Sequence, residues 1–263
     1  MIARVLNAYM VELSKASRQA LTYIGPVLVV LAVLCMPLVR RVARDGTSDY
    51  AFIAYATPMA LNLLGLLVLL AYCASQVAAE LGSGTIRMVL VRPLRRHEFL
   101  LAKLLLGMTY AVLLTFSAAA TSWATVLAFG DLGGVSYGGE VIYTSGAMLT
   151  TYLVAAGLSL LPLFAAVAYA TMISTFTRST GAAVGAAVGI WLLVDIVKYP
   201  LRIAPLVFST YIEAPWQVFA NRCGGFEASW SPDALYGAAT SAAWSTVLVS
   251  LAMLALARRN LNA

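Results

Sequence analysis

The chain has 263 residues, of which 62% are apolar and only 11% are charged, against about 25% charged residues in an ordinary soluble domain. This composition excludes a soluble enzyme, a DNA-binding domain and a disordered chain. The formal net charge of +6 would suggest nucleic acid for a soluble protein. Here the basic residues flank apolar spans, so we expect them to set membrane topology and to meet anionic lipid, with no nucleic acid bound.

Apolar stretches long enough to cross a bilayer recur along the whole chain, since one helical crossing takes about 20 residues. We predict spans at Tyr23–Val39, Ala51–Ser75, Leu104–Phe129, Gly146–Phe176, Thr180–Val197 and Gly237–Ala257. Too little polar sequence remains for a second globular domain. The sequence therefore predicts an all-α integral membrane protein in which residues 1–263 form a single transmembrane domain with six membrane helices.

Residues 1–22 precede the first predicted span and have the pattern of an amphipathic helix lying in the membrane interface. Its predicted apolar face consists of Val5, Leu6, Tyr9, Met10 and Leu13 at helical spacing, and the charged residues Arg4, Glu12, Lys15 and Arg18 lie elsewhere around the helix. The alternative is a frayed terminus.

The positions of Lys and Arg predict the orientation. If the spans alternate, the side that carries the N-terminus holds eleven of the 17 basic residues. They are Arg4, Lys15, Arg18, Arg87, Arg92, Arg95, Arg96, Lys103, Arg178, Arg258 and Arg259. The positive-inside rule then places both termini in the cytoplasm, although the cluster Arg40, Arg41 and Arg44 opposes that assignment.

The cytoplasmic region of residues 77–103 lies between predicted spans two and three and is the most informative segment. Thr85 is positioned to cap a short helix and Pro93 to end it. Such a helix would offer a soluble partner apolar and basic contacts, namely Ile86, Arg87, Val89, Leu90 and Arg92. A membrane-surface helix whose arginines meet lipid phosphate fits the composition equally well.

The same region resembles the E…GT…LL…P…R…K signature of ATP-binding cassette (ABC) type-2 permeases. The matching residues are Glu80, Gly84, Thr85, Met88, Val89, Leu90, Pro93, Arg95 or Arg96, and Lys103. The resemblance covers most of the chain: an N-terminal elbow helix, six spans, a long outer segment and the basic tail Arg258-Arg259-Asn260-Leu261. Val91-Arg92 departs from the family, which often has a small or apolar residue before the proline.

The resemblance implies a permease subunit of an exporter that moves a hydrophobic or amphiphilic substrate. In that family the loop is a coupling helix, so the contact with the ATPase subunit would include Glu80, the stretch from Gly84 to Pro93, and Arg95. Two ATPase copies, a second permease copy or close relative, and membrane lipid are the expected partners. The chain has no G-x-x-x-x-G-K-[ST] phosphate loop. We therefore expect it to be no enzyme and to hold no cofactor, with ATP and Mg bound by the ATPase, in the inner (cytoplasmic) membrane of a bacterium.

Two further patterns lie in predicted span five. Gly181, Gly185 and Gly189 are four residues apart and form a groove that admits another backbone, which predicts either a permease–permease interface or packing within one chain. Asp195 and Lys198, three residues apart, share a helix face near the outer end. They form either a polar patch at a substrate exit or a pair that snorkels to the headgroups.

The outer segment 201–236 is too punctuated by proline and glycine to be one helix. Trp216 and Trp230 suit the membrane interface, and the family resemblance implies short re-entrant helices here. Glu213 and Glu227 could touch a substrate, although solvated loop carboxylates are more common.

No catalytic constellation is present, because His97 is the single histidine and no carboxylate pair falls within a predicted span. Two other functions stay open at this point. One is a membrane anchor or assembly scaffold without a transport pathway. The other is an ion-gradient-driven carrier, which predicts an ionisable site in mid-membrane and inverted repeats.

Overall fold

The fold is known from a computed structural model, which describes residues 2–39, 49–84, 95–137 and 140–258. Its helices are α1 Ile2–Ala16, α2 Ala20–Val39, α3 Tyr50–Met59, α4 Leu66–Gly82, α5 Arg96–Phe129, α6 Ser145–Phe176, α7 Thr180–Val197, α8 Ala214–Cys223 and α9 Asp233–Arg258. A π-helical turn, Ala60–Gly65, joins α3 to α4 into one rod. Arg40, Arg41 and Arg44, most of the predicted coupling helix, and the tail after Arg258 lie outside the described residues.

Within the described residues, six helical rods are long and apolar enough to cross a membrane: α2, the α3–α4 rod, α5, α6, α7 and α9. The predicted all-α membrane architecture is confirmed at this level. The structure departs from it in one short hairpin, in which β1 (Val135–Tyr137) pairs antiparallel with β2 (Glu140–Tyr143) between α5 and α6.

The bundle is centred on α6, which packs against α4, α5, α8 and α9. In the most apolar 18-residue stretch of α5, 61% of the residues are buried, compared with 17% in the corresponding stretches of α2 and α7. The peripheral helices therefore present most of their apolar side chains outward, as expected where lipid or another subunit takes the place of water.

Both ends of the described chain lie at the same end of the bundle. The side chain of Arg96, in the first turn of α5, donates hydrogen bonds of 2.9 Å to the carbonyl oxygens of Leu256 and Ala257. These carbonyls belong to the last turn of α9, which an α-helix leaves without intrahelical partners. We call this end, with α1, the end of α4 and the end of α9, the terminal face, and the other end the opposite face.

Helix α1 packs along α5. Leu6 and Met10, two residues of its predicted apolar face, are 53% and 56% exposed, so they do not belong to the surface that packs on the bundle. Glu12 is buried together with Ala16. The reason is that lysines meet Glu12 in the packed interface, so its charge is compensated away from water.

A buried hydroxyl cluster ties the rods together near the opposite face. The hydroxyl of Thr57 lies 3.0 Å from that of Ser122 and 3.1 Å from the phenol oxygen of Tyr152. The Tyr152 ring packs edge-on against Trp216, with 5.4 Å between ring centroids. Trp216 is 2% exposed, so its indole packs inside the fold, between α8 and α6.

The outer segment 201–236 is not one helix, as its punctuation predicted, and it contains short helices. Two 3₁₀ turns, Ala204–Leu206 and Phe208–Ile212, lead into α8. Pro205 and Pro215 lie in the first turns of their helices. In a first turn the backbone N–H has no intrahelical acceptor, so its absence in proline costs no hydrogen bond. The segment packs against α3, α6 and α9 and forms one wall of a cavity described below.

Candidate functional site

Four charged side chains from three helices meet on the terminal face. We call Glu12, Lys15, Glu80 and Lys103 the ion cluster. Lys103 Nζ donates to Glu12 Oε2 at 2.5 Å and to Glu80 Oε1 at 2.7 Å. Lys15 Nζ lies 2.7 Å from Glu12 Oε1 and 3.6 Å from Glu80 Oε1. The four formal charges cancel, which is what allows them to be buried.

Burial differs sharply within the ion cluster. The side chains of Lys103 and Glu12 are 3% and 6% exposed, and that of Glu80 is 14% exposed. The Lys15 side chain is 44% exposed. Lys103 is therefore the central cation, and Lys15 supports the two carboxylates from the rim.

The pKa values outside the membrane helices reflect this pairing. Burial acts to raise the pKa of Glu12, but the charges and hydrogen bonds of Lys103 and Lys15 outweigh it and hold that pKa below its ordinary value of 4.5. Burial likewise acts to lower the pKa of Lys15, and the bonds to Glu12 and Glu80 outweigh it and raise that pKa above 10.5. Both groups are stabilised in their charged forms at neutral pH.

The ion cluster joins the two ends of the predicted coupling region. Glu80 lies in the last turn of α4 and Lys103 near the start of α5, so their salt bridge closes the chain around residues 81–102. Among the predicted contact residues, Glu80, Gly84 and Arg95 are described. Thr85, Ile86, Arg87, Val89, Leu90, Arg92 and Pro93 lie outside the described residues.

The two described ends of that loop have defined geometry. Gly84 has φ +69°, a left-handed conformation that suits glycine after a helix end. The backbone N–H of Arg95 donates to the carboxylate of Glu98 at 2.9 Å, which fixes the start of α5. Glu98 also lies 3.3 Å from Arg4 Nε, a second charged contact between α1 and α5.

The loop base also touches the turn between α6 and α7. A Cβ added at Gly82 would collide with the carbonyl oxygen of Arg178. This close approach of two backbones requires glycine at position 82. It brings the connection between α4 and α5 and the connection between α6 and α7 together on the terminal face.

The sequence predicted Glu80 as a contact residue and placed Lys103 in the family signature. It did not predict that Glu12 and Lys15 are their partners. A signal was present, because Glu12 and Lys15 are opposite charges three residues apart in α1. In a helix expected to rest on a bilayer, such a pair needs a specific partner or a place at the water-facing edge.

The glycines of α7 face away from the bundle. Nothing lies within 4 Å of a Cβ added at Gly185 or Gly189. The face that packs within the chain is formed instead by Ala183, Ala187 and Trp191, largely against α4. The described part of the chain thus leaves the backbone groove at these glycines uncovered, and the subunit-interface assignment stays a prediction.

Asp195 and Lys198 pair as their spacing predicted, and Ser209 joins them. Lys198 Nζ lies 2.5 Å from Asp195 Oδ1 and 3.1 Å from the hydroxyl oxygen of Ser209, which donates to Asp195 Oδ1 at 3.0 Å. Lys198 is 3% exposed. Its ammonium group is therefore enclosed by the fold.

This pair lies in the wall of a cavity of about 490 Å³ near the opposite face. We call it the aromatic cavity. One wall is the face of the α3–α4 rod from Ala54 to Leu66, the second is α7 with its following turn, and the third is the Phe208–Ile212 turn with α8. Its aromatic lining residues are Tyr55, Trp191, Tyr199 and Trp216.

Comparison with known proteins gives a family but no activity. The sequence model of a family described as a protein of unknown function (DUF2705) matches residues 10–257. No curated protein matches the chain.

Proposed function

We propose that this chain, which belongs to the DUF2705 family, is the membrane-spanning permease subunit of an ABC exporter. A separate ATPase would bind ATP and Mg and drive the movement of a hydrophobic or amphiphilic substrate. The observation that carries the proposal is the ion cluster, which fastens α1, α4 and α5 together at the base of the loop that resembles a coupling helix.

The contacts of the loop base support a role in transmitting force. A partner that pushes on residues 85–94 would act on the ends of α4 and α5, which Glu80 and Lys103 join directly. The close approach of Gly82 to Arg178 extends that contact to the turn before α7. Movement imposed at one loop would therefore reach several rods, because packed helices shift as rigid elements.

The distribution of basic residues supports the proposed sidedness. The terminal face carries Arg4, Lys15, Arg95, Arg96 and Arg178, and under the positive-inside rule this number of basic residues favours the cytoplasmic side for this face and both termini. In that orientation α1 is an elbow helix at the inner interface, and the loop is available to a cytoplasmic ATPase.

A second permease subunit completes the proposed assembly. The glycine groove of α7 at Gly181, Gly185 and Gly189 supports a helix-to-helix contact, because small residues let two backbones approach closely in lipid. The two permeases would then flank a common pathway, each with its own ATPase.

Purification from native membranes tests the ATPase contact. The intact chain is expected to retain an ATPase that contains a phosphate loop, and the double substitution Arg87→Glu/Arg92→Glu is expected to release it. Arg18→Glu, which reverses a charge on the same face outside the loop, serves as the matched control and is expected to keep it. An ATPase that stays bound to the double variant would overturn the docking assignment, and absence of any ATPase would favour the anchor or scaffold.

Sidedness is tested separately. Ser83→Cys in a background without the native cysteines is expected to react with a membrane-impermeant maleimide in inverted vesicles and to be protected in intact cells. Labelling in intact cells would place the loop outside and refute the proposed coupling.

A further inference from the structure

We propose that the aromatic cavity is a binding site for an organic cation with an apolar body. The inference deepens the proposed function by naming a ligand class, and it rests on that function only for the claim that the ligand is transported. Binding itself requires no ATPase.

Size and lining are the first argument. A volume of about 490 Å³ falls in the range of about 300–1,000 Å³ that small-molecule sites occupy. The lining residues on the α3–α4 rod extend from Ala54 to Leu66, which is about 18 Å along a helix axis. Met59 and Leu63 are 45% and 53% exposed, so this wall continues onto the outer, apolar surface of the bundle.

Charge is the second argument. The titratable acids that line the cavity are Asp195 and Glu213, and the lining cation is Lys198. Lys198 Nζ donates a hydrogen bond to Asp195 Oδ1 at 2.5 Å, so the two opposite charges compensate each other. Glu213 is exposed, and among the described residues its carboxylate accepts a bond only from the neutral amide of Asn62, at 3.1 Å. Within the part of the chain that the structure describes, no cationic side chain pairs with Glu213, so its negative charge is uncompensated there.

The aromatic walls reinforce that preference. Tyr55, Trp191, Tyr199 and Trp216 surround the cavity, and the faces of aromatic rings attract cations. The ring of Tyr199 already receives Lys198 Nζ at 5.0 Å from its centroid. An anion of the same shape would be repelled by the electron-rich faces of these rings and by the Glu213 carboxylate.

Unpartnered polar atoms distinguish this site from a gap filled by lipid tails. Asn62 Oδ1 is buried and accepts no hydrogen bond among the described residues. The indole nitrogens of Trp191 and Trp216, residues that are 8% and 2% exposed, also have no partner there. Asn62 Oδ1 is an acceptor and matches an ammonium N–H of a cationic ligand, whereas the two indole N–H groups are donors and require an acceptor atom on the ligand body.

A matched pair of probes tests the charge preference. Tetraphenylphosphonium and tetraphenylborate have nearly the same shape and opposite charge. With the full chain in dodecyl maltoside and no nucleotide, equilibrium dialysis is expected to show saturable binding of the phosphonium and none of the borate. Equal binding of both ions would overturn the proposal.

Charge variants locate the site. Glu213→Gln keeps the hydrogen-bonding shape and is expected to weaken phosphonium binding about tenfold. Glu227→Gln, an exposed carboxylate of the same segment that does not line the cavity, is the control and is expected to change nothing. Should Glu213→Gln fail to fold, Gln217→Glu decides, since it adds a carboxylate at an exposed lining position and is expected to tighten binding. Unchanged binding in the folded variants would overturn the site.

Two sources could supply such a cation: the ammonium headgroup of a lipid, or an amphiphilic cation from solution. In nanodiscs, displacement of the phosphonium by added phosphatidylethanolamine but not by phosphatidylglycerol would identify the lipid source. Binding indifferent to phosphatidylethanolamine would identify a soluble cation. Because the assay contains no ATPase, its failure leaves the proposed coupling intact, and failure of ATPase capture leaves this site intact.

Discussion

Lys103→Met removes the central cation of the ion cluster and leaves two carboxylates facing each other in a buried place. Lys103 Nζ contacts Glu12 at 2.5 Å and Glu80 at 2.7 Å, and its own side chain is 3% exposed. Methionine has a similar length, so packing is largely kept and the change isolates the charge.

The size of the effect follows from burial. Breaking a buried ion pair by removing one partner costs about 3–5 kcal/mol, because the other charge stays uncompensated. Lys15 remains 2.7 Å from Glu12, but it is a rim lysine, and such exposed pairs contribute about 0.2–1 kcal/mol. We therefore expect a loss of about 3 kcal/mol in the free energy of unfolding. At about 2–4 °C per kcal/mol for a chain of this size, the melting temperature falls by about 6–12 °C.

Thermal unfolding of the purified chain in dodecyl maltoside measures this change. Lys15→Met is the matched control, with an expected loss of about 0.5–1 kcal/mol. The triple variant Glu12→Gln/Glu80→Gln/Lys103→Met removes the stranded charges and is expected to recover most of the lost stability. The reasoning is refuted if Lys103→Met melts within about 2 °C of Lys15→Met, or if the triple variant is no more stable than Lys103→Met alone.

Three other outcomes follow from the same structure. The pKa of Glu12 is lowered in the fold, so the ionised carboxylate stabilises the fold above its ordinary pKa, and this contribution is lost as the pH falls through the folded value. We therefore expect the melting temperature of the wild type to drop on acidification below about pH 4.5. The drop is expected to be smaller in Glu12→Gln. Gly82→Ala is expected to lower the melting temperature, since its Cβ would meet the carbonyl of Arg178, whereas Gly157→Ala, with open space around its Cβ, is not; equal melting temperatures would contradict the close approach. Gly185→Leu is expected to reduce permease self-association, measured by cross-linking in membranes, without lowering the melting temperature, and Gly157→Leu serves as its control.

The membrane helices were largely predictable because their signal is strong and local. A stretch of about 20 residues without charge has few alternatives to crossing a bilayer, and α7 was predicted with the observed bounds, Thr180–Val197. Helix ends were less predictable. The last rod begins at Asp233, earlier than the predicted Gly237, because an acidic residue in a first helical turn is favourable and can lie outside the apolar layer.

The ion cluster was only half predictable, because it depends on distances across the chain. Glu80 and Lys103 stood out through their place in the motif, and their contact requires only that α4 and α5 be neighbours. Amphipathic reasoning places charges toward water and does not predict that Glu12 is buried. The lysine that reverses this preference comes from 91 residues further along the chain, which no local pattern reveals.

The aromatic cavity shows the same limit in another form. Asp195 and Lys198 were predicted as a pair from their spacing, but Ser209 and Glu213 reach the same place only because the outer segment folds back over α7. The residue type of Trp216 suggested only a position near the membrane interface, and the fold adds that its ring packs on Tyr152 of α6. Such positions depend on tertiary packing, which composition does not determine.

The π-helical turn Ala60–Gly65 determines how the α4 half of the α3–α4 rod is rotated about the helix axis relative to the α3 half. Such a turn accommodates an extra residue within a helix, so everything after it is rotated by about 100° relative to an uninterrupted α-helix. That rotation lets a single rod aim Asn62 at the aromatic cavity and Glu80 at Lys103. Deleting one residue such as Leu64 would convert the turn into ordinary α-helix and leave Glu80 facing its lysine, whereas keeping every residue in α-helical geometry would turn Glu80 away. The alignment of the two halves of this rod therefore depends on the π-helical turn absorbing one surplus residue midway along it.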